Sequence, residues 1–147
     1  MLASYPDRRS ALMPLLYLAT LEHEFVTEKA MVEVAELVGI TPAQVQSVAS
    51  FYTMFKREPV GDYLVSVCTS ITCHLLGGDE VLASVEDATQ TPRGDTSQDG
   101  RFSVERAECI GACGGAPALQ VNYELIEGVS AEKDPSSGVG SSFFPAA

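Results

Sequence analysis

The chain reads as an α/β protein in two parts, a helical stretch to about residue 60 and a short-stranded stretch after it. Three observations predict this. Apolar residues recur at helical spacing as far as Arg57. From Gly61 onward, brief β-rich runs replace them, separated by segments rich in Gly, Pro, Asp and Ser. Two of those runs lead toward closely spaced pairs of cysteines, which places the chemistry in the second part.

Ser10 to Glu24 puts Leu12, Leu15, Leu16 and Ala19 on one helical face, with Pro14 tolerable in the first turn if Ser10 caps. A second helix is predicted to open at Thr27 and stop at Gly39, with Met31, Val34, Ala35 and Val38 as its apolar face. The third has the clearest start, because Thr41-Pro42-Ala43-Gln44 combines an N-cap Thr, a Pro at the first position and a Gln placed for a capping box. Its expected stripe is Val45, Val48, Ala49, Tyr52 and Phe55. Three short helices with brief connections predict a small antiparallel bundle. In the second part, Tyr63–Val67 reads as a strand running into Cys68, and Gly78 to Ala88 as a helix. Thr91 to Gly100 reads as a loop, and Phe102 to Glu108 as a strand that again ends at a cysteine. Ala118–Val121 and Tyr123–Ile126 read as a hairpin. The expected divisions are 1–60, 61–133 and a structureless tail over 134–147.

Charge excludes some functions. With 20 acids against nine Lys and Arg among 147 residues, the net charge is −11. Phosphate recognition needs a basic footprint, so nucleic-acid binding through the helical part is disfavoured. No apolar run reaches the length of a membrane span. The opening MLASYPDRRS has no secretory apolar region, which predicts a cytoplasmic chain. In that reducing compartment, four cysteines point to metal ligation or redox chemistry more than to disulfides.

The cysteines form a C-x4-C pair, Cys68 and Cys73, and a C-x3-C pair, Cys109 and Cys113, each expected on a loop just past a strand. Four thiolates are what a 2Fe-2S cluster needs, two on each iron. Gly77, Gly78, Gly111, Gly114 and Gly115 flank the pairs and would let backbone N–H groups approach the sulfurs. Structural zinc also takes four cysteines, usually at shorter C-x2-C spacing. A dithiol oxidoreductase would want C-x-x-C, which is absent, and plant-type ferredoxin spacing fails after Cys73. A Rieske centre needs two histidines, whereas His23 lies in the helical part and only His74 is nearby. Four unrelated buried cysteines are the plainest alternative, and clustering as two pairs at strand ends argues against them. His74 reads either as a tuning residue or as an exposed loop histidine. Pro117 could be cis or an ordinary trans turn proline.

These motifs resemble a known family, the small thioredoxin-like 2Fe-2S subunit of bacterial respiratory complex I and its relatives in NAD-linked formate dehydrogenases and bidirectional hydrogenases. The stretches that carry the resemblance are YPDRRSALMPLL, GITPAQVQSVASFYTMFKREPVG, YLVSVCTSITCHLLGG and VERAECIGACGGAPALQVN, from about Tyr5 to Asn122. The resemblance implies an N-terminal helical bundle followed by a thioredoxin-like 2Fe-2S ferredoxin domain. It puts the cluster ligands on Cys68, Cys73, Cys109 and Cys113, with no catalytic residue in the chain itself. It also implies docking on a flavin-bearing, NADH-oxidising partner subunit. FMN and NAD are expected there and not here, in keeping with the lack of a G-x-G-x-x-G unit. Such a complex would sit at the cytoplasmic face of the inner membrane. Members of the family end with a further helix, whereas here the sequence after VNYELIEGVSAEK turns to Gly, Ser and Pro, so that helix is expected to be short or missing.

The expected activity is one-electron transfer at low potential, since an acidic protein opposes adding charge to an already negative centre. The equivalent subunit of a formate dehydrogenase or hydrogenase shares the motifs, and a zinc-stabilised interaction domain is the reading from a different class. Leu12, Leu15, Leu16, Phe51, Tyr52, Met54 and Phe55 exceed what three short helices can easily bury. They are candidates for a shared interface, with some of them filling the bundle core.

Overall fold

The computed structural model describes residues 2–131. Among them it shows mixed helix and sheet, in two compact units that divide between Pro59 and Val60. The expected tail over 134–147 and the place of a terminal helix lie outside the described residues.

In the first unit, Asp7 accepts a hydrogen bond from the Arg9 N–H and starts a 3-10 turn over Arg8–Ala11. Helix α1, Leu12–His23, follows directly, so Ser10 is not its cap and Pro14 falls in its first turn, where no helical N–H partner is needed. Helix α2 spans Glu28–Val38 between a Thr27 cap, whose hydroxyl accepts from the Ala30 N–H, and Gly39 at φ 80°. Helix α3, Pro42–Phe51, opens on the full capping box of Thr41 and Gln44. It ends earlier than its apolar stripe suggests. Tyr52 is already extended, and the chain turns so that Phe55 reaches the core from outside the helix. The three helices share one core built on Leu12, Leu16, Val34, Val38, Val45 and Phe55. Of the residues expected at an interface, Leu12, Leu16 and Phe55 are therefore buried, and Leu15 packs half-buried against them. Phe51, Tyr52 and Met54 remain exposed.

The second unit is built on a four-stranded sheet in the order β2-β1-β3-β4, with β1 Tyr63–Cys68, β2 Phe102–Ala107, β3 Ala118–Val121 and β4 Glu124–Glu127. Strands β1 and β2 run parallel, as a strand–helix–strand crossover requires, while β3 and β4 are antiparallel additions. Between β1 and β2 lie a short helix α4, Ile71–Leu75, and a longer one α5, Gly78–Thr89. Val81, Leu82 and Val85 of α5 cluster with Val65 and Val67 of β1, Val104 of β2 and Leu119 of β3. These residues alternate along their strands and so define one buried sheet face. The β3–β4 turn is Asn122-Tyr123, both left-handed, at φ 49° and 69°. Asn122 also ties this turn to the start of β1. Its Oδ1 accepts from the Leu64 N–H at 2.8 Å, its Nδ2 donates to the Asp62 carbonyl at 2.9 Å, and its own N–H donates to the Leu64 carbonyl at 2.9 Å.

Candidate cysteine site

All four cysteines are free thiols. Cys68 is the last residue of β1, an inner strand, and is buried. It therefore belongs to the sheet and not to a loop beyond it. The turn after it is fastened to β2, where Thr69 donates its N–H to the Ala107 carbonyl and Arg106 Nε donates to the Thr69 hydroxyl. Cys73 was expected on a loop too, yet it lies within α4, buried, one turn after the Ser70 carbonyl that accepts from the His74 N–H. Five residues are too few to show a periodicity, which is why this helix is not legible in the sequence.

The two buried thiols lie close enough to shift each other's acidity. Burial pushes the Cys68 thiol up, but the N–H groups of Ser70 and Ile110 and the Cys73 thiol outweigh it, so Cys68 is on balance more acidic than an ordinary thiol. Cys73 moves the other way. Burial raises it first, then its hydrogen bond to Cys68, then repulsion from Cys68 and Cys113, with only the Ala118 N–H opposing. Of the two, Cys68 is thus the more acidic thiol and Cys73 the less acidic.

Strand β2 stops at Ala107, so Cys109 and Cys113 stand on the following loop, both exposed. Gly111 takes φ 85° between them, a conformation that suits glycine. Cys113 opens a 3-10 turn to Gly115, and the Ala116–Pro117 bond that leads into β3 is cis. The far side of the loop is anchored by Gly128 N–H to the Gly115 carbonyl at 2.7 Å and Val129 N–H to the Pro117 carbonyl at 3.1 Å. This second segment reaches the first pair at three points: Ile110 on Cys68, Ala118 on Cys73, and Cys113 within electrostatic range of Cys73.

The backbone donors at Cys68 and Cys73 are Ser70, Ile110 and Ala118, none of them a glycine. Gly78 acts differently. A Cβ there would sit 2.9 Å from the Cys68 carbonyl oxygen and from the Cys73 carbonyl, so its lack of a side chain lets α5 press against both cysteine backbones. His74 is an exposed helical residue, not a loop histidine, with Nδ1 2.7 Å from Asp79 Oδ2. His23 is the last residue of α1, in the other unit.

Among the described residues, no three His, Cys, Asp or Glu side chains already stand as a metal-ready group. The donor chemistry nonetheless fits a thiolate-held centre. Two thiols shift each other's acidity, a third is within electrostatic range, and the residue beside the fourth directs its N–H at the first. Among the described residues no helix is long and apolar enough to cross a membrane.

The relatives of the chain agree with this chemistry. A family described as thioredoxin-like 2Fe-2S ferredoxin matches residues 1–136. An NADH-quinone oxidoreductase subunit of Mycobacterium tuberculosis is 41% identical over 128 residues, covering 87% of this chain and 51% of that protein. The chain thus spans about half the length of that relative. An NADH-quinone oxidoreductase subunit of Rhizobium meliloti is 40% identical over 119 residues, covering 81% of this chain and 71% of that one. An NAD+-reducing NiFe-hydrogenase in the H2-reduced state contains a chain of like fold. The match has TM-score 0.71 at 22% identity, over 82% of this chain and 20% of that one.

Proposed function

Because the chain belongs to the thioredoxin-like 2Fe-2S ferredoxin family, we propose that it is the electron-transfer subunit of an NADH-quinone oxidoreductase, holding one 2Fe-2S cluster on Cys68, Cys73, Cys109 and Cys113. The observation that carries this reading is the convergence of two cysteine segments. Cys68 and Cys73 share a hydrogen bond, Ile110 of the Cys109–Cys113 segment directs its backbone N–H at Cys68, and Cys113 lies within electrostatic range of Cys73. Likeness to NADH-quinone oxidoreductase subunits at about 40% identity supports the choice of complex.

A bound 2Fe-2S centre supplies single-electron storage. The chain's own part is to hold and shield it. Ser70, Ile110 and Ala118 direct N–H dipoles at sulfur, which stabilises negative charge there. Burial of Cys68 and Cys73 keeps water from one side, while exposed Cys109 and Cys113 leave the other side open to a protein partner. Hydride donors deliver electrons in pairs, so a flavin-bearing, NADH-oxidising partner must separate them, with FMN and NAD bound on that partner. We read the first unit as a three-helix bundle that contributes to docking through exposed Phe51, Tyr52 and Met54. The assembly would work at the cytoplasmic face of the inner membrane. The equivalent role in an NAD-linked hydrogenase draws only on likeness of fold.

Anaerobically purified chain is expected to be reddish-brown, with about two irons and two sulfides per chain. It should give no EPR signal when oxidised and a spin-one-half signal once reduced. Stoichiometric zinc without iron in freshly isolated protein would overturn the reading in favour of a structural zinc domain.

A further inference from the structure

Strand β4 lays one carboxylate on the second cysteine segment. A Cβ added to Gly115 would meet a carboxylate oxygen of Glu127, its carboxyl carbon at 2.6 Å and its Cβ at 2.8 Å. Gly115 is not left-handed, so what its missing side chain provides is room. The Glu127 side chain takes that room, against the 3-10 turn that Cys113 opens. The next residue fastens the arrangement, since the Gly128 N–H donates to the Gly115 carbonyl at 2.7 Å.

The sheet register relates Glu127 to the first pair as well. Glu127 pairs with Ala118 across β3 and β4. One step beyond the Val67–Leu119 pair, Ala118 stands beside Cys68. Paired residues share a sheet face, so Cys68, Ala118 and Glu127 form one row at the cysteine end of the sheet. The middle member of that row contributes only a buried methyl. Other charges near the cysteines are placed differently. Glu108 adjoins Cys109 and is exposed, Asp79 pairs with His74, and Arg106 is bound to Thr69. Substitution at position 127 changes none of them.

We propose that Glu127 tunes the potential of the four-cysteine centre, its negative charge making one-electron reduction less favourable. The inference rests on the electron-transfer reading above and adds which side chain of this chain does the tuning. Uptake of one electron forms and breaks no bond at the site. It adds one negative charge, which a fixed carboxylate close by opposes. Glu127 is exposed, so solvent and salt screen part of that opposition.

The test is a redox titration of the full chain, loaded with iron and sulfide, followed by visible absorption and EPR at fixed pH. At the midpoint of the unmodified chain, E127Q should raise the ratio of reduced to oxidised centre about threefold to tenfold. E127K should raise it further. Iron per chain and the denaturant midpoint should be unchanged in E127Q, which keeps the shape of the side chain. E124Q removes a carboxylate at the other end of β4, about 10 Å away, and should change the ratio less than about twofold. Rising salt should narrow the gap between E127Q and the unmodified chain. Equal ratios in those two proteins would overturn the proposal, as would a smaller rise in E127K than in E127Q. A gap that salt leaves unchanged would show a steric cause and overturn it too. So would a shift in E124Q as large as that in E127Q, because net charge alone would then suffice. Iron-loaded chain with an unchanged potential in E127Q removes only the role of Glu127. A chain that takes up no iron removes the electron-transfer reading and this role together.

Discussion

The two cysteine segments differ in how they are built. Cys68 and Cys73 stand on regular structure, a strand end and a helix, with both sulfurs buried and their acidities driven apart. Cys109 and Cys113 stand on a loop shaped by a left-handed glycine and a cis-proline, with both residues exposed. The first segment is set by the core of the second unit, because α5 packs on the sheet and presses Gly78 onto the cysteine backbones. The second is set by turns and by three backbone hydrogen bonds near Gly115 and Pro117. One half of the proposed ligand set is therefore rigid by burial and the other accessible by design of the loop.

The sharpest way to break this contrast is serine substitution. Cys68→Ser and Cys73→Ser should abolish iron retention, because each puts a buried hydroxyl where a thiolate is needed. Cys109→Ser and Cys113→Ser, on the exposed loop, should retain part of the iron with an altered visible spectrum. Iron analysis and absorption of the four purified variants decide it, and equal losses in all four would erase the distinction.

Glycine substitutions probe the supports. Gly78→Ala should destabilise the chain by about 1–3 kcal/mol, since the added methyl meets backbone that cannot rotate away. Gly111→Ala meets open space and should cost about 1 kcal/mol, from its left-handed conformation alone. Denaturant unfolding measures both, and the reverse ranking would show that the loop, not the helix start, is the tighter constraint.

A smaller effect is expected at the far end of α5. There Arg93 holds Glu86 through its guanidinium at 2.9 and 3.0 Å and through its backbone N–H at 2.8 Å. Those hydrogen bonds, the side-chain one foremost, hold the Glu86 carboxyl below the usual range. A depressed folded-state value stabilises above the unfolded value and ceases to do so as pH falls through the folded one. Glu86→Gln should thus lower the melting temperature slightly at neutral pH, with the gap closing in acid. A gap that persisted unchanged in acid would show that charge is not the cause. Smallest of all, His74→Ala should leave iron content at the level of the unmodified chain, since His74 faces solvent and Asp79. Loss of iron in that variant would add a fifth residue to the ligand problem.

Much of this was legible in the residues, and what was not has identifiable causes. Thr27 with Gly39 and Thr41-Pro42-Ala43-Gln44 specify their helix ends through local hydrogen bonds, so local sequence suffices for them. The end of α3 does not follow from its stripe. Phe55 keeps helical spacing by coincidence and reaches the core through a turn that tertiary packing selects. The cysteine spacing singled out the four candidate residues, but not that Cys73 rides on a helix. Ser70 ahead of Ile71 and Leu75 was a signal, too brief to weigh against a loop. The donors Ser70, Ile110 and Ala118 act through backbone, so no side-chain pattern could reveal them.

Asn122 acts well beyond the hairpin it closes. Its three hydrogen bonds fix the pairing of β1 against the β3–β4 turn at the end of the strand away from the cysteines. Successive residues of a strand face opposite sides, so a slip of one position would turn Cys68 toward α5 and Val67 toward the sulfurs. Asn122 holds Leu64, four residues and about 13 Å from Cys68 along the strand. The hairpin tip therefore serves as the zero mark of a ruler whose far graduation is a proposed metal ligand.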